Sequence, residues 1–174
     1  MSRLDIKPTG VERFFGEEEI IVSKTDLNGK ITYANQTFLK VAGYEENEVI
    51  GKPHSMIRHP DMPACVFKLL WDTISQGNEI FAYVVNLCKN GDHYWVFAHV
   101  TPTFNSSGDI IGYHSNRRTP TAKSIAHVKD LYARLRSEEL KHPDKRSGLQ
   151  ASYSLLCSLL KDKNLEYEEF IWHI

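Results

Sequence analysis

Cysteine is scarce in this chain: Cys65, Cys88 and Cys157 are the only three in 174 residues, odd in number and far apart. With no CxxC pair, the usual zinc, cluster and redox-disulfide frameworks are excluded, and the three thiols are expected to be small buried hydrophobes. Charge of one sign is lacking as well. Lys and Arg total 21 against 22 Asp and Glu, so no net field draws the chain to nucleic acid or to an anionic membrane. Long apolar runs are missing: Ile80 to Val85 falls far short of the roughly 20 residues that span a bilayer. The N-terminus MSRLDIKPTG has no signal-peptide core. A cytoplasmic protein is expected, with no nucleic-acid partner and no direct membrane insertion. There is no P-loop, HExxH or GxSxG, and no usefully spaced carboxylate pair, so no enzymatic activity is expected.

What is present reads as one domain with appendages, since this length buries one sizeable core but not two. EEIIVSK (18–24) and the apolar Ile31 and Tyr33 flank Asn28-Gly29, the signature of a β-hairpin with a two-residue turn. Phe38, Leu39, Val41 and Ala42 suit a short helix capped by Asn35 and ended by Gly43, and EENEV offers another helical turn. Residues 53–63 hold three prolines, which rules out a regular element, together with Arg58, two histidines and two methionines. The helix that follows carries Val66, Phe67, Leu69, Leu70, Trp71 and Ile74 around most of its circumference, so it needs cover from the sheet and from something else.

Three strand patterns come next, Glu79–Cys88, Asp92–Phe104 and Asp109–Arg118, separated by Asn90-Gly91 and Ser107-Gly108. Period two puts His93, Trp95, Phe97 and His99 on one face and Tyr94, Val96, Ala98 and Val100 on the other. The order describes an α+β module, a five-stranded antiparallel sheet with short helices on one face. Beyond Thr119-Pro120, the stripe Ile125, Val128, Leu131, Tyr132 and Leu135 predicts an amphipathic helix opened by a Thr cap and a first-turn proline. KHPDKRSG reads as a polar break, followed by two short helices with Leu155, Leu156, Leu159 and Leu160, then Tyr167, Phe170, Ile171 and Trp172. The expected organisation is an N-terminal cap (1–17), a sensor domain (18–120), an output helix (121–140) and a C-terminal helical extension (141–174).

The phrase DLNGKITYANQTFLKVAGYEENEVIGKPHSMIRHPDMP, with KNGDHYW at 89–95 and GYHSNRR in the place of a family strand, resembles the PAS domain of bacterial aerotaxis receptors. The resemblance covers about residues 20–135. It implies a PAS fold, non-covalent FAD, and a flavin redox state that reports respiratory state to the chemotaxis machinery. By matching motifs it implies flavin contacts at Asn35, Arg58, His59, Trp71 and Asn86. The strand between the two motifs reads IFAYVVNLC, where the family pattern has a tryptophan and two arginines. Such receptors continue into membrane and methyl-accepting regions. This chain is expected to stand alone and to signal in trans to a membrane chemotaxis receptor or another signalling protein, with a homodimer as a further arrangement.

The residues themselves allow this chemistry. Phe67, Leu70, Trp71 and Ile74 form either an apolar slot for a ring or ordinary core. Arg58 has the forked donors to hold a phosphate or carbonyl, or to tie down its loop. His59 can stabilise charge beside a reduced ring or bond a backbone carbonyl. Asn86, alone among Tyr83, Val84, Val85 and Leu87, needs a partner, since an unpaired buried amide costs on the order of 1–3 kcal/mol. Two rivals remain open. Haem b also occupies PAS pockets, and eight histidines are available as axial ligand, although none lies in 64–77. The other rival is a cofactor-free interaction module.

Overall fold

The computed structural model describes residues 6–174, so residues 1–5 of the expected N-terminal cap lie outside the described residues. Five strands form one antiparallel sheet: β1 (Ile21–Thr25), β2 (Ile31–Ala34), β3 (Ile80–Leu87), β4 (His93–Phe104) and β5 (Ile110–Arg118). They lie in the order β2-β1-β5-β4-β3, so the chain crosses between the two edges after β2. That crossing carries α1 (Gln36–Ala42), α2 (Glu46–Val49), a 3₁₀ turn at His54–Ile57 and α3 (Ala64–Ser75). The sheet is the α+β architecture anticipated above.

Alternation along the strands defines two faces. Ser23, Val84, Asn86, Ala98, Val100, Ser115 and Arg117 point to the inner face, which α1 and α3 cover. His93, Trp95, Phe97 and His99 point to the outer face, as their period requires. The connections differ from simple two-residue turns. Five residues join β1 to β2, because Asp26 Oδ1 accepts the amides of Asn28 (2.9 Å) and Lys30 (2.8 Å) and holds a wider loop. Asn105 does the same between β4 and β5, accepting from Ser107 and Asp109, both at 2.9 Å.

Three C-terminal helices enclose the rest: α4 (Ala122–Leu140), α5 (Lys145–Lys163) and α6 (Tyr167–Trp172). The cap of α4 is Thr121, two residues later than Thr119-Pro120 suggested, and its hydroxyl accepts from the Ser124 amide at 3.1 Å. α4 lies on the outer face, where Tyr132 sits 6.1 Å from Trp95 and donates its hydroxyl to the Tyr83 carbonyl at 2.6 Å. The expected break at 141–148 is half as long. Asp144 caps α5 through the amides of Arg146 (3.0 Å) and Ser147 (2.9 Å), so KRSG forms the first helical turn. One 19-residue helix therefore replaces the expected short one.

α5 supplies the second cover that α3 required, with Lys68 of α3 lying 5.1 Å over the Tyr153 ring. Leu156 is buried, whereas Cys157 is exposed on the far side of α5, unlike the buried Cys65 and Cys88. α6 folds back on the outer face. Ile171 is buried, and Trp172 packs its ring 4.8 Å from Phe81 and 5.2 Å from Phe97 while remaining 61% exposed. Among the described residues, no helix is long and apolar enough to cross a membrane.

Candidate functional site

The inner face of the sheet and the crossing segment enclose a cavity of about 300 Å³. That volume is at the lower end for ligand pockets, which suits a planar ring system with any further groups leaving through the mouth. Phe67, Leu70, Trp71 and Ile74 of α3 form one wall and Val84, Ala98 and Val100 of the sheet the other. Trp71 stands at the mouth, 39% exposed, edge-on to Tyr113 with centroids 5.4 Å apart. Gly29 makes room for it. Its φ is +74°, and a Cβ there would lie 3.2 Å from the indole.

The polar end of the cavity is built by β1, β5 and the 3₁₀ turn. Arg117, 2% exposed, donates through Nε to Ser115 Oγ (3.0 Å) and through Nη2 to Ser23 Oγ and to His54 Nε2 (2.8 Å). His54 Nε2 therefore accepts, and the imidazole carries its proton on Nδ1. Burial lowers the arginine to about 10, and the Tyr94 hydroxyl opposes that shift. No carboxylate pairs with the guanidinium among the described residues. Among the described residues its Nη1 has no hydrogen-bond partner. The Asn86 Nδ2 and Tyr94 hydroxyl, from cross-strand neighbours on β3 and β4, are likewise buried without partners.

His54 titrates far from its usual range. Burial first, and then the Arg117 charge, push it down to about 3. A folded value below the unfolded one means that the unfolded chain binds more protons between pH 6.5 and 3. Stability is therefore full above 6.5 and is lost as pH falls through that window. From pH 6.5 to 4.5 the loss from His54 is about 2 kcal/mol, since the slope rises to ~1.4 kcal/mol per pH unit only below the unfolded value. His59, lowered chiefly by burial, acts in the same direction. Asp92 is held down at about 2 by Thr9, Asn90 and Arg13, so its part of acid unfolding begins lower. Thermal melts at pH 7 and pH 4.5 should show a smaller acid loss in His54→Gln, whose amide oxygen can still accept from Arg117, than in the wild type.

The residues expected to touch a cofactor divide. Arg58, Phe67, Trp71 and Asn86 line the cavity. Arg58 lays its guanidinium 4.0 Å over the Phe67 ring, and its backbone bridges Asn86. Asn35 and His59 do not line it. Asn35 is a fastener: Oδ1 accepts from the Val22 and Phe38 amides, both at 3.0 Å, and Nδ2 donates to the Ile20 carbonyl at 2.7 Å. His59 lies on the far side of its loop, accepting from the Asp61 amide at 3.2 Å and packed edge-on to His93 at 5.6 Å. The Cys65 thiol is also absent from the lining. Sequence reasoning missed Ser23, His54 and Arg117. Continuing the period-two row Tyr113, Ser115, Arg117 along GYHSNRR would have placed that arginine inside.

A sheet of this order, with a crossing segment that closes a cavity against its inner face, defines a module of the PAS type. The family described as PAS fold matches residues 31–117, and the chain belongs to it. It is 44% identical to the aerotaxis receptor of Escherichia coli (strain K12) over 119 residues, which are 68% of this chain and 23% of the receptor. Identity to the nitrogen fixation regulatory protein of Klebsiella pneumoniae is 24%, over 59% of this chain and 21% of that protein. The chain thus spans about a quarter or less of these curated relatives. In fold it is similar to the light-state structure of the blue-light photoreceptor Aureochrome1 LOV. The TM-score is 0.57 at 18% identity, covering 67% of this chain and 91% of that one. A light-oxygen-voltage domain studied with a flavin analogue matches with a TM-score of 0.56 at 19% identity, over 64% of this chain and 84% of that one.

Proposed function

We propose that the protein is a non-catalytic redox sensor that holds FAD non-covalently in this cavity and signals in trans to a membrane chemotaxis receptor. The observation that carries the reading is the polar end of the cavity. Arg117 and Asn86 line it, each with an unpartnered buried N–H-bearing nitrogen, next to the unpartnered Tyr94 hydroxyl. Such groups are costly unless a ligand rich in acceptors meets them. A flavin ring presents carbonyl oxygens and ring nitrogens along one edge and apolar faces elsewhere, which suits these donors and the wall of Phe67, Leu70, Trp71 and Ile74. The 44% identity to the aerotaxis receptor supports the same choice.

Bound FAD would supply reversible electron uptake, and its reduced ring is the more electron-rich. The protein's own groups discriminate between the two states. Arg117, fixed by Ser23, Ser115 and His54, favours the more negative ring. The Asn86 amide both donates and accepts, so a rotation can follow a change of protonation at the ring edge. Differential contact of this kind is what a state-dependent output requires. β3 passes the change onward, because Asn86 and Val84 face the cavity while Tyr83, next in sequence, receives the hydroxyl of Tyr132 from α4.

Haem suits the cavity less well. Of the two histidines that line the cavity, His54 offers its Nε2 to Arg117 and His114 spends its Nε2 on Asn116 Oδ1 at 3.1 Å, while His93 and His99 face the opposite side of the sheet. Incubating the apoprotein with FAD or with haem and removing the excess by gel filtration separates the readings. Stoichiometric FAD without stoichiometric haem is expected. Haem retained in place of FAD would overturn the assignment, and a protein that keeps neither is an interaction module.

A further inference from the structure

The helix that forms the apolar wall of the cavity cannot cap itself. α3 begins after Pro63, which has no side-chain acceptor, so the amides of its first turn need another partner. They find it 75 residues away. Glu139 of α4, 8% exposed, accepts through Oε1 from the Ala64 amide (2.7 Å) and the Cys65 amide (3.3 Å). The same oxygen accepts from Ser152 Oγ of α5 at 3.0 Å, and Oε2 accepts from Arg136 Nη1 at 2.7 Å. The carboxylate also opposes the positive end of the α3 dipole. Gly148 keeps α5 tight against this point, since a Cβ there would lie 2.5 Å from the Glu139 carbonyl oxygen.

We propose that Glu139 is a positioning residue for the cofactor cavity, setting from outside the matched PAS residues where α3 places Phe67 and Trp71. The inference rests on the FAD reading above. Phe67 is only two residues beyond Cys65, and Arg58 of the motif loop is stacked on its ring. Losing the cap releases the first turn and with it this stack. The C-terminal helices are therefore part of the site and not only its cover. In reverse, a ligand that pulls on Phe67 or Trp71 pulls on α4 and α5 through one carboxylate.

The test uses the full chain with Glu139→Ala, Glu139→Gln and the control Glu138→Ala, whose carboxylate pairs with Lys141 on the surface. Circular dichroism should show all three folded. FAD affinity should fall at least tenfold in Glu139→Ala and less in Glu139→Gln, which keeps an acceptor oxygen, while Glu138→Ala matches the wild type. At saturating FAD, Glu139→Ala should also show blurred shoulders on the visible flavin bands, because the ring wall is no longer fixed. A lowered melting temperature with wild-type affinity and band shape would overturn the proposal, leaving Glu139 a purely structural clamp. Hydrogen exchange separates this failure from that of the FAD reading. If the wild type takes up no FAD, unchanged protection of the Ala64 and Cys65 amides in Glu139→Ala overturns the inference, and lost protection upholds control of α3 by Glu139.

Discussion

Arg117→Met is expected to weaken FAD binding about a hundredfold while the apoprotein stays folded. A charged hydrogen bond in a buried site contributes about 3 kcal/mol, and each 1.4 kcal/mol is about tenfold in affinity. The apoprotein behaves differently because its arginine is expensive to keep. The guanidinium is fully buried, holds no carboxylate among the described residues, and leaves Nη1 without a partner. Replacing buried ionic groups together with their partners by apolar side chains of similar volume is often neutral or stabilising by about 1–4 kcal/mol, and here that gain is set against the donor that Ser23, Ser115 and His54 lose. Methionine fills the space beside Phe38, over whose ring the guanidinium now lies at 5.6 Å. Removing the cation also lifts His54 from its lowest range, since Arg117 is one of the two causes of that shift. Equilibrium dialysis with FAD and a thermal melt of the apoprotein read the two effects. An unchanged affinity would place the ligand elsewhere.

Asn86→Leu should move the same two quantities in opposite directions. The amide is 3% exposed and its Nδ2 is unsatisfied, a state that costs about 1–3 kcal/mol. Leucine has nearly the same shape and removes that cost, so the apoprotein should melt several degrees higher, at about 2–4 °C per kcal/mol for a chain of this size. A neutral hydrogen bond contributes about 0.5–1.5 kcal/mol, so FAD affinity should fall up to about tenfold. Groups kept for function rather than for folding behave this way. A destabilised apoprotein would instead show that Asn86 is paired in solution and serves the fold.

Much of the sheet was legible because alternation is a strong local signal. The split of β4 into a row of His93, Trp95, Phe97 and His99 and a row of Tyr94, Val96, Ala98 and Val100 agrees with the two faces observed. The helix cap at Asn35 could be read as well, but not the bonds that occupy the same side chain at Ile20 and Val22, which are distant in sequence. A motif can therefore contain a polar residue that is satisfied by backbone, as with Asn35 and His59, while one that faces the cavity goes unread. Arg117 was hidden by its neighbour: NRR offers two adjacent arginines, and only strand phase distinguishes the inner one from Arg118. The first turn of α5 was hidden by composition, since KHPDKRSG is polar throughout and Gly148 signals a close approach to α4, not a loop. Glu139 sits in SEEL, where a buried carboxylate has no local signature. Its partners Ala64, Cys65 and Ser152 come together only in the fold.

The most direct test of the account is a visible absorbance spectrum of the purified chain, taken before and after chemical reduction and again after re-exposure to air. A yellow protein is predicted, with flavin bands that bleach on reduction and return with oxygen. In Arg117→Met the same bands should be lost or much reduced. A protein that stays colourless after incubation with FAD, or one whose colour is that of haem, would contradict the account.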